Sequence, residues 1–358
     1  MKHALKNPIN LLLLFIPVAL VAELAHWEPV IIFATAALAV VPLSGLMGDA
    51  TEELAGRTGP QIGALINATL GNAAELIITI LALREGLLDL VRASITGSII
   101  GNILLVMGAA LLLGGLKNGT QKFNPSQAGL NATMLIMASL VLTVPSFFAF
   151  AIEPDTKRVE ELSLLTAGVI IILYVLSMLY TLRAKAGDSL TREAAHEPTM
   201  TVRSAVILLI AATALIALMS EFLVGAVEPM TAQLGISEMF VGVILVPIIG
   251  NIAEHVVAIE VAIKNKMDLS LGIAIGSSLQ IALFVAPLLV FISLLFGQHL
   301  TLEFTSFELV ALLASCIIAA MVSMDGRSNW LEGALLVGLY IIVAIAFFFL
   351  PVAHAAGG

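Results

Sequence analysis

Eleven apolar runs, most of them about twenty residues long, follow one another along the 358-residue chain. They lie near 9–25, 28–48, 60–84, 91–114, 127–150, 160–183, 201–223, 236–264, 268–296, 304–323 and 328–350. A helix needs about 20 predominantly apolar residues to cross the hydrocarbon of a bilayer. The chain is therefore expected to be an all-α polytopic membrane protein with about 11 transmembrane helices. Composition agrees: 60% of residues are hydrophobic and 11% charged, against about 45–50% and about 25% in a soluble domain. A net charge of −9 argues against nucleic acid, which needs a basic face. Lys2 and Lys6 before the first run resemble a signal peptide, but the next segment is again apolar and no convincing cleavage site follows. The first run is read as a retained helix.

Turn chemistry separates the runs, as at Lys117-Asn118-Gly119, Glu153-Pro154-Asp155 and Asp325-Gly326-Arg327. The one sizeable polar linker, Ala184–Thr201, divides the chain near its middle. Twelve of the 16 Lys and Arg fall in segments on the same side as the N-terminus. The positive-inside rule then places the N-terminus in the cytoplasm and the C-terminus outside.

Two stretches repeat each other at an offset of 179 residues. Gly71-Asn72-Ala73-Ala74-Glu75 with Gly97-Ser98 corresponds to Gly250-Asn251-Ile252-Ala253-Glu254 with Gly276-Ser277. The copies occupy spans three and four and spans eight and nine. Five spans separate them, so the second copy enters the membrane in the opposite direction. Such inverted-topology repeats place substrate sites at the membrane midplane, often on broken helices. The expected organisation is an extra N-terminal helix (1–27), a first five-helix repeat (28–183), a linker (184–200), a second five-helix repeat (201–350) and a tail (351–358).

Each copy carries a glutamate near the middle of a span. An ionised carboxylate at the centre of a transmembrane helix costs about 2.5–3.5 kcal/mol on insertion scales, so it faces the bundle interior and has partners. Asn72 stands three residues before Glu75, and Asn251 three before Glu254, on shared helix faces. Gly71 and Gly250 remove bulk beside the carboxylates. Ser98 and Asn102, and Ser277 and Gln280, offer oxygens from the adjacent spans. Pro247 interrupts the hydrogen-bond ladder of span eight and frees carbonyls. This is an oxygen inventory suited to a hard cation such as Ca²⁺, and it lacks the His and Cys ligands that suit zinc. A divalent cation needs the ionised carboxylates, so its binding expels protons. A site that holds either protons or the cation, but not both, is what antiport requires.

Asp49, Glu221 and Glu228 are candidates for the cavity mouths. His255, beside Glu254, is a candidate for proton coupling. Glu260 and Lys264 form an ordinary i,i+4 pair, Glu52 and Glu53 are expected to be solvated, and Cys316 to be a packing residue. No phosphate-binding loop, His-Glu-x-x-His or intramembrane protease signature is present, so no enzyme and no cofactor are expected. The substrates are expected to be ions, and the lipid bilayer the surroundings. A homo-oligomer is left open.

Gly71-Asn72-Ala73-Ala74-Glu75-Leu76-Ile77 with Gly97-Ser98, and Gly250-Asn251-Ile252-Ala253-Glu254-His255 with Gly276-Ser277-Ser278-Leu279-Gln280, resemble the two signature repeats of the Ca²⁺/H⁺ antiporters of the cation/Ca²⁺ exchanger superfamily. The eleven-span layout resembles theirs too. The resemblance implies export or sequestration of Ca²⁺ driven by a proton gradient, with Glu75 and Glu254 taking Ca²⁺ and protons alternately. It also implies alternating access by sliding of helices against a fixed core. The short linker and the lack of a long N-terminal region differ from plant vacuolar members and imply a prokaryotic inner membrane. Glu260 is an additional acid. The alternatives are an antiporter for Mn²⁺ or Na⁺ at the same site, or a cation channel.

Overall fold

The protein is described by a computed structural model over residues 8–58, 62–63, 66, 69–151, 156–183 and 199–350. These residues are almost all helical. A 3₁₀ turn, Pro8–Leu14, leads into α1 (Phe15–Leu24). Then follow α2 (Pro29–Thr58), α3 (Ala73–Arg84) and α4 (Leu88–Asn118), β1 (Gln121–Lys122), α5 (Pro125–Ala151) and α6 (Thr156–Arg183). The later part of the chain forms α7 (Val202–Gly225), α8 (Val227–Leu234), α9 (Glu238–Ile263), α10 (Met267–Leu295), α11 (Ser306–Ser323), β2 (Arg327–Ser328) and α12 (Trp330–Phe348).

Among the described residues, nine helices are long and apolar enough to cross a membrane: α2, α4, α5, α6, α7 continued by α8, α9, α10, α11 and α12. The first predicted span is the shorter apolar stretch Ile9–Leu24. The third is represented by α3, with 12 residues. The count of eleven therefore stands at nine full-length helices and two shorter pieces. The second span runs ten residues further than expected, to Thr58 rather than 48. Most of the linker 184–200 and the tail 351–358 lie outside the described residues. Burial sorts the helices by role. In α4, 72% of the most apolar window is buried, against 22% in α6. The motif-bearing α4 is thus a core helix, whereas α6 turns Leu165, Ile172 and Leu176 outward, as a lipid-facing helix does.

The chain divides into two compact units, and each draws on both halves of the sequence. The first takes in the described parts of 1–90 and 195–253 with the last residues from 347. In it α2 packs along α7, and α3 also lies against α7. Glu53 is 2% exposed, contrary to the expected solvated role. Its carboxylate accepts hydrogen bonds from the Thr199 amide and hydroxyl and from the Met200 amide. Arg57 donates to the Met200 carbonyl. The end of α2 is thereby tied to the chain that enters α7.

The second unit comprises the described parts of 91–194 and 254–346. Its helix ends are held by side chains. Asn118 and Gln121 donate to the terminal carbonyls of α9 at Ala262 and Ile263. β1 pairs antiparallel with β2, Gln121 opposite Ser328. Thr305 and Glu308 form a reciprocal capping box at the start of α11, and Thr96 on α4 donates to the buried Glu308 carboxylate at 2.8 Å. α12 crosses α4 at very close range: a β-carbon added to Gly333 would lie 2.2 Å from the Leu112 nitrogen. Glycine is required there because nothing larger clears the opposing backbone.

Three helices contain a π-helical stretch: Gly101–Met107 in α4, Val241–Leu245 in α9 and Ile281–Val285 in α10. Adding 179 to Asn102 and Val106 gives Ile281 and Val285, so the stretches in α4 and α10 fall at equivalent places in the repeat. The stretch in α9 ends two residues before Pro247, whose nitrogen carries no hydrogen to donate. Such wide turns inside α-helices are frequently found at functional sites.

Candidate functional site

The first motif does not lie in the middle of a continuous helix. A turn at Gly71-Asn72 interrupts the third span, and α3 begins at Ala73 with Asn72 as its N-cap residue. The expected shared helix face of Asn72 and Glu75 is replaced by this arrangement. Glu75 stands in the first turn of α3 and is 1% exposed. The N-terminal end of a helix carries unsatisfied amides and a partial positive charge, which favour an anion. The Thr79 hydroxyl donates to the Glu75 carbonyl at 2.8 Å.

The second motif meets the first at this point. Asn251 Nδ2 donates to Glu75 Oε2 at 3.2 Å, and both residues are buried. A β-carbon on the neighbouring Gly250 would lie 3.4 Å from Glu75 Cβ and 3.5 Å from its Cα. The glycine of one motif thus packs on the glutamate of the other. In contrast to Glu75, Glu254 lies inside the unbroken α-helical stretch Val246–Ile263 of α9. The two copies present their carboxylates differently, one at a helix start and one along a helix.

The remaining candidates from the second unit gather on α4, α9 and α10. Ser98 and Asn102 are buried at 1% and 2% exposure, Ser98 three residues before the π-helical stretch of α4 and Asn102 within it. Asn102 Oδ1 lies 3.2 Å from Nε2 of the buried His255. Asn102, expected as a cation ligand, is thus engaged with the histidine expected to couple protons. Ser277 is buried, and Gln280 closes the α-helical part of α10 just before its π-helical stretch. α10 packs against the π-helical stretch of α4. Among the described residues no group of three or more His, Cys, Asp or Glu is placed to hold a metal ion. The candidate side chains gathered here offer carboxylate, amide and hydroxyl oxygens, the donor chemistry of a hard cation.

The three acids expected at the cavity mouths separate. Asp49 is exposed on α2 and Glu228 is exposed on α8. Glu221 lines a cavity of about 400 Å³ within the first unit, together with Glu23, Leu81, Arg84, Glu85 and Phe222. Arg84 there bonds Glu221 at 3.0 Å and Glu85 at 2.9 Å. Arg84, Glu85 and Glu23 were not singled out by sequence. Their only signal was position, since each stands at the end of an apolar run. Glu260 and Lys264 form the expected pair, at 3.2 Å and exposed. Cys316 is a buried packing residue, with its sulfur 3.1 Å from the Ser139 hydroxyl.

This architecture has known counterparts. Residues 28–183 and 204–349 match the family described as sodium/calcium exchanger protein. A Ca²⁺/H⁺ antiporter of Aphanothece halophytica is 44% identical over 97% of this chain and 97% of its own length. The Ca²⁺/H⁺ antiporter ChaA of Bacillus subtilis strain 168 is 43% identical over 94% of this chain and 97% of its own. The solved structure of native YfkE superposes with a TM-score of 0.84 at 41% identity, covering 96% of this chain and all of that one. The chain is a multi-pass integral membrane protein that belongs to the sodium/calcium exchanger family, alongside relatives named as Ca²⁺/H⁺ antiporters.

Proposed function

We propose that this protein exchanges Ca²⁺ for H⁺ across a membrane by alternating access, with Glu75 and Glu254 as the groups that take the cation or protons. The observation that carries this reading is the meeting of the two motif copies, where Asn251 and Gly250 contact Glu75. A buried carboxylate at a helix start, beside an amide from a distant helix, is a site with its donors already in place. When empty, the neutral carboxyl avoids the cost of a bare charge away from water. When Ca²⁺ enters, both carboxylates ionise and their protons leave. Asn72, Asn251, Ser98, Ser277 and Gln280 supply neutral oxygens, Asn102 orients His255, and His255 assists proton transfer. The repeats 28–183 and 201–350 run in opposite directions through the membrane, and the exchange of access follows from their pseudo-symmetry. The named activity of the bacterial relatives and the side bias of Lys and Arg support a plasma-membrane location with the N-terminus in the cytoplasm.

The test is uptake into proteoliposomes with an imposed pH gradient. Ca²⁺ is expected to move against protons. Glu75→Gln and Glu254→Gln are each expected to reduce uptake at least about a hundredfold while the protein still inserts, since an uncharged amide cannot replace an ionised ligand. Ca²⁺ flux that moves no protons would overturn the antiport reading, and retained transport in either variant would overturn the site. Mn²⁺ and Na⁺ offered in place of Ca²⁺ measure the cation range. A channel would instead pass currents indifferent to the proton gradient.

A further inference from the structure

The wall of the 400 Å³ cavity carries four ionisable side chains, Glu23, Glu85, Glu221 and Arg84. They come from three helix ends: α1 for Glu23, α3 for Arg84 and the adjoining Glu85, and α7 for Glu221. The other wall residues, among them Pro29, Ile32, Leu81 and Phe222, are apolar. Arg84 Nη2 reaches Glu85 Oε1 at 2.9 Å and Glu221 Oε1 at 3.0 Å, and Nε reaches Glu85 Oε1 at 3.1 Å. The guanidinium is a tethered cation lying between two carboxylates of an acidic vestibule. It also joins α3 to α7.

Arg84 ends the same helix that Glu75 begins. Nine residues separate them, which is roughly 13 Å of helix rise. The cavity volume corresponds to about a dozen waters at roughly 30 Å³ each, so a cation enters this vestibule with much of its hydration shell. There it meets a guanidinium that already neutralises the carboxylates it would use. Arg84 stays charged at any accessible pH, so the contact opens when something else takes its carboxylates. A second cation does so by competing for Glu221 and Glu85, and a divalent ion has twice the charge with which to compete. The pair is also partly solvated, with about half of each side chain exposed, and exposed ion pairs are weak. It is a contact that opens easily.

We propose that Arg84 is a gating residue of the transport cycle: its ion pair with Glu221 latches α3 to α7 across the vestibule, and an arriving divalent cation releases it. The proposal rests on the reading of the protein as a Ca²⁺ transporter, which wild-type uptake establishes separately. At low ionic strength, Arg84→Gln is expected to lower the KM for Ca²⁺ several-fold, only for Ca²⁺ presented on the side where α3 ends. The difference should shrink at high salt, where exposed charges are screened. The exchanged pair Arg84→Glu with Glu221→Arg should restore the wild-type KM. In a second measurement, Arg84→Cys with Glu221→Cys is cross-linked by a reducible bifunctional thiol reagent long enough to span the former ion pair. Turnover should stop and return on reduction. If wild type transports Ca²⁺ but Arg84→Gln leaves the low-salt KM unchanged, or alters it equally from both sides, the gate is wrong. Undiminished turnover in the cross-linked protein overturns it equally. If wild type itself moves no Ca²⁺, it is the transport reading that fails.

Discussion

Asn251 reaches Glu75 from a position 176 residues later in the chain. That hydrogen bond is one of the contacts that hold the glutamate. A buried acceptor that loses its donor costs about 1–3 kcal/mol, and about 1.4 kcal/mol is a tenfold change in a binding constant. Asn251→Ala is therefore expected to weaken Ca²⁺ about tenfold or more, measured as KM in the uptake assay, with the folded protein intact in detergent. An unchanged KM would show that the amide does not serve the cation. The identity of Glu75 as a costly buried charge was legible in sequence, because it sits alone in an apolar run. Its donor was not, since hydrogen-bond partners between distant helices leave no local pattern. Glu53 makes the same point from the other direction. It stands beside Glu52 in one helix, and only packing against the segment that enters α7 buries one of the two acids.

At the scale of elements, hydropathy located the helices and glycine allowed two of them to touch. Gly333 on α12 faces the α4 backbone, where an added β-carbon would come within 2.6 Å of the Gly108 carbonyl oxygen. Backbone cannot move aside as a flexible side chain does, so Gly333→Ala must push α12 outward. Overpacking of this kind typically costs about 1–3 kcal/mol. The unfolding midpoint in detergent is expected to fall, whereas Gly338→Ala on the same helix, with open space around it, should leave the midpoint near wild type. Equal midpoints for the two variants would argue against a tight crossing. The break at Gly71-Asn72 and the three π-helical stretches were not predicted. Both features rearrange backbone hydrogen bonds without altering hydropathy, so an apolar run reads the same with or without them. Pro247 was the exception, because a missing donor is written in the sequence.

For the whole molecule, the proposed competition between protons and Ca²⁺ has a definite sign. Raising the pH on the side from which Ca²⁺ enters removes the protons that occupy the site, so the KM for Ca²⁺ is expected to fall. The limit is about tenfold per pH unit for each proton displaced, over the range in which the empty site stays protonated. A KM independent of pH, with transport intact, would separate the proton pathway from the cation site. Arg84→Gln should leave this pH dependence in place, because the protons displaced are those of the carboxylate site and not of the guanidinium. The two measurements thus divide the cycle between the vestibule and the carboxylates.

Membrane class, the approximate positions of the spans, the 179-residue repeat and the paired glutamates are all legible in the order of the residues. Each of these rests on local quantities: the length of an apolar run, the cost of a charge inside it, and the spacing of a motif. Only the tertiary structure decided that Glu75 opens a helix, that Asn251 and Gly250 are its neighbours, that Asn102 faces His255, and that Arg84 spans from α3 to α7. These depend on which helices lie side by side. In a chain whose runs are nearly all apolar, hydrophobicity does not distinguish one neighbour from another. The few polar side chains and glycines that fit only one partner make that choice, and their fit exists only once the helices have packed.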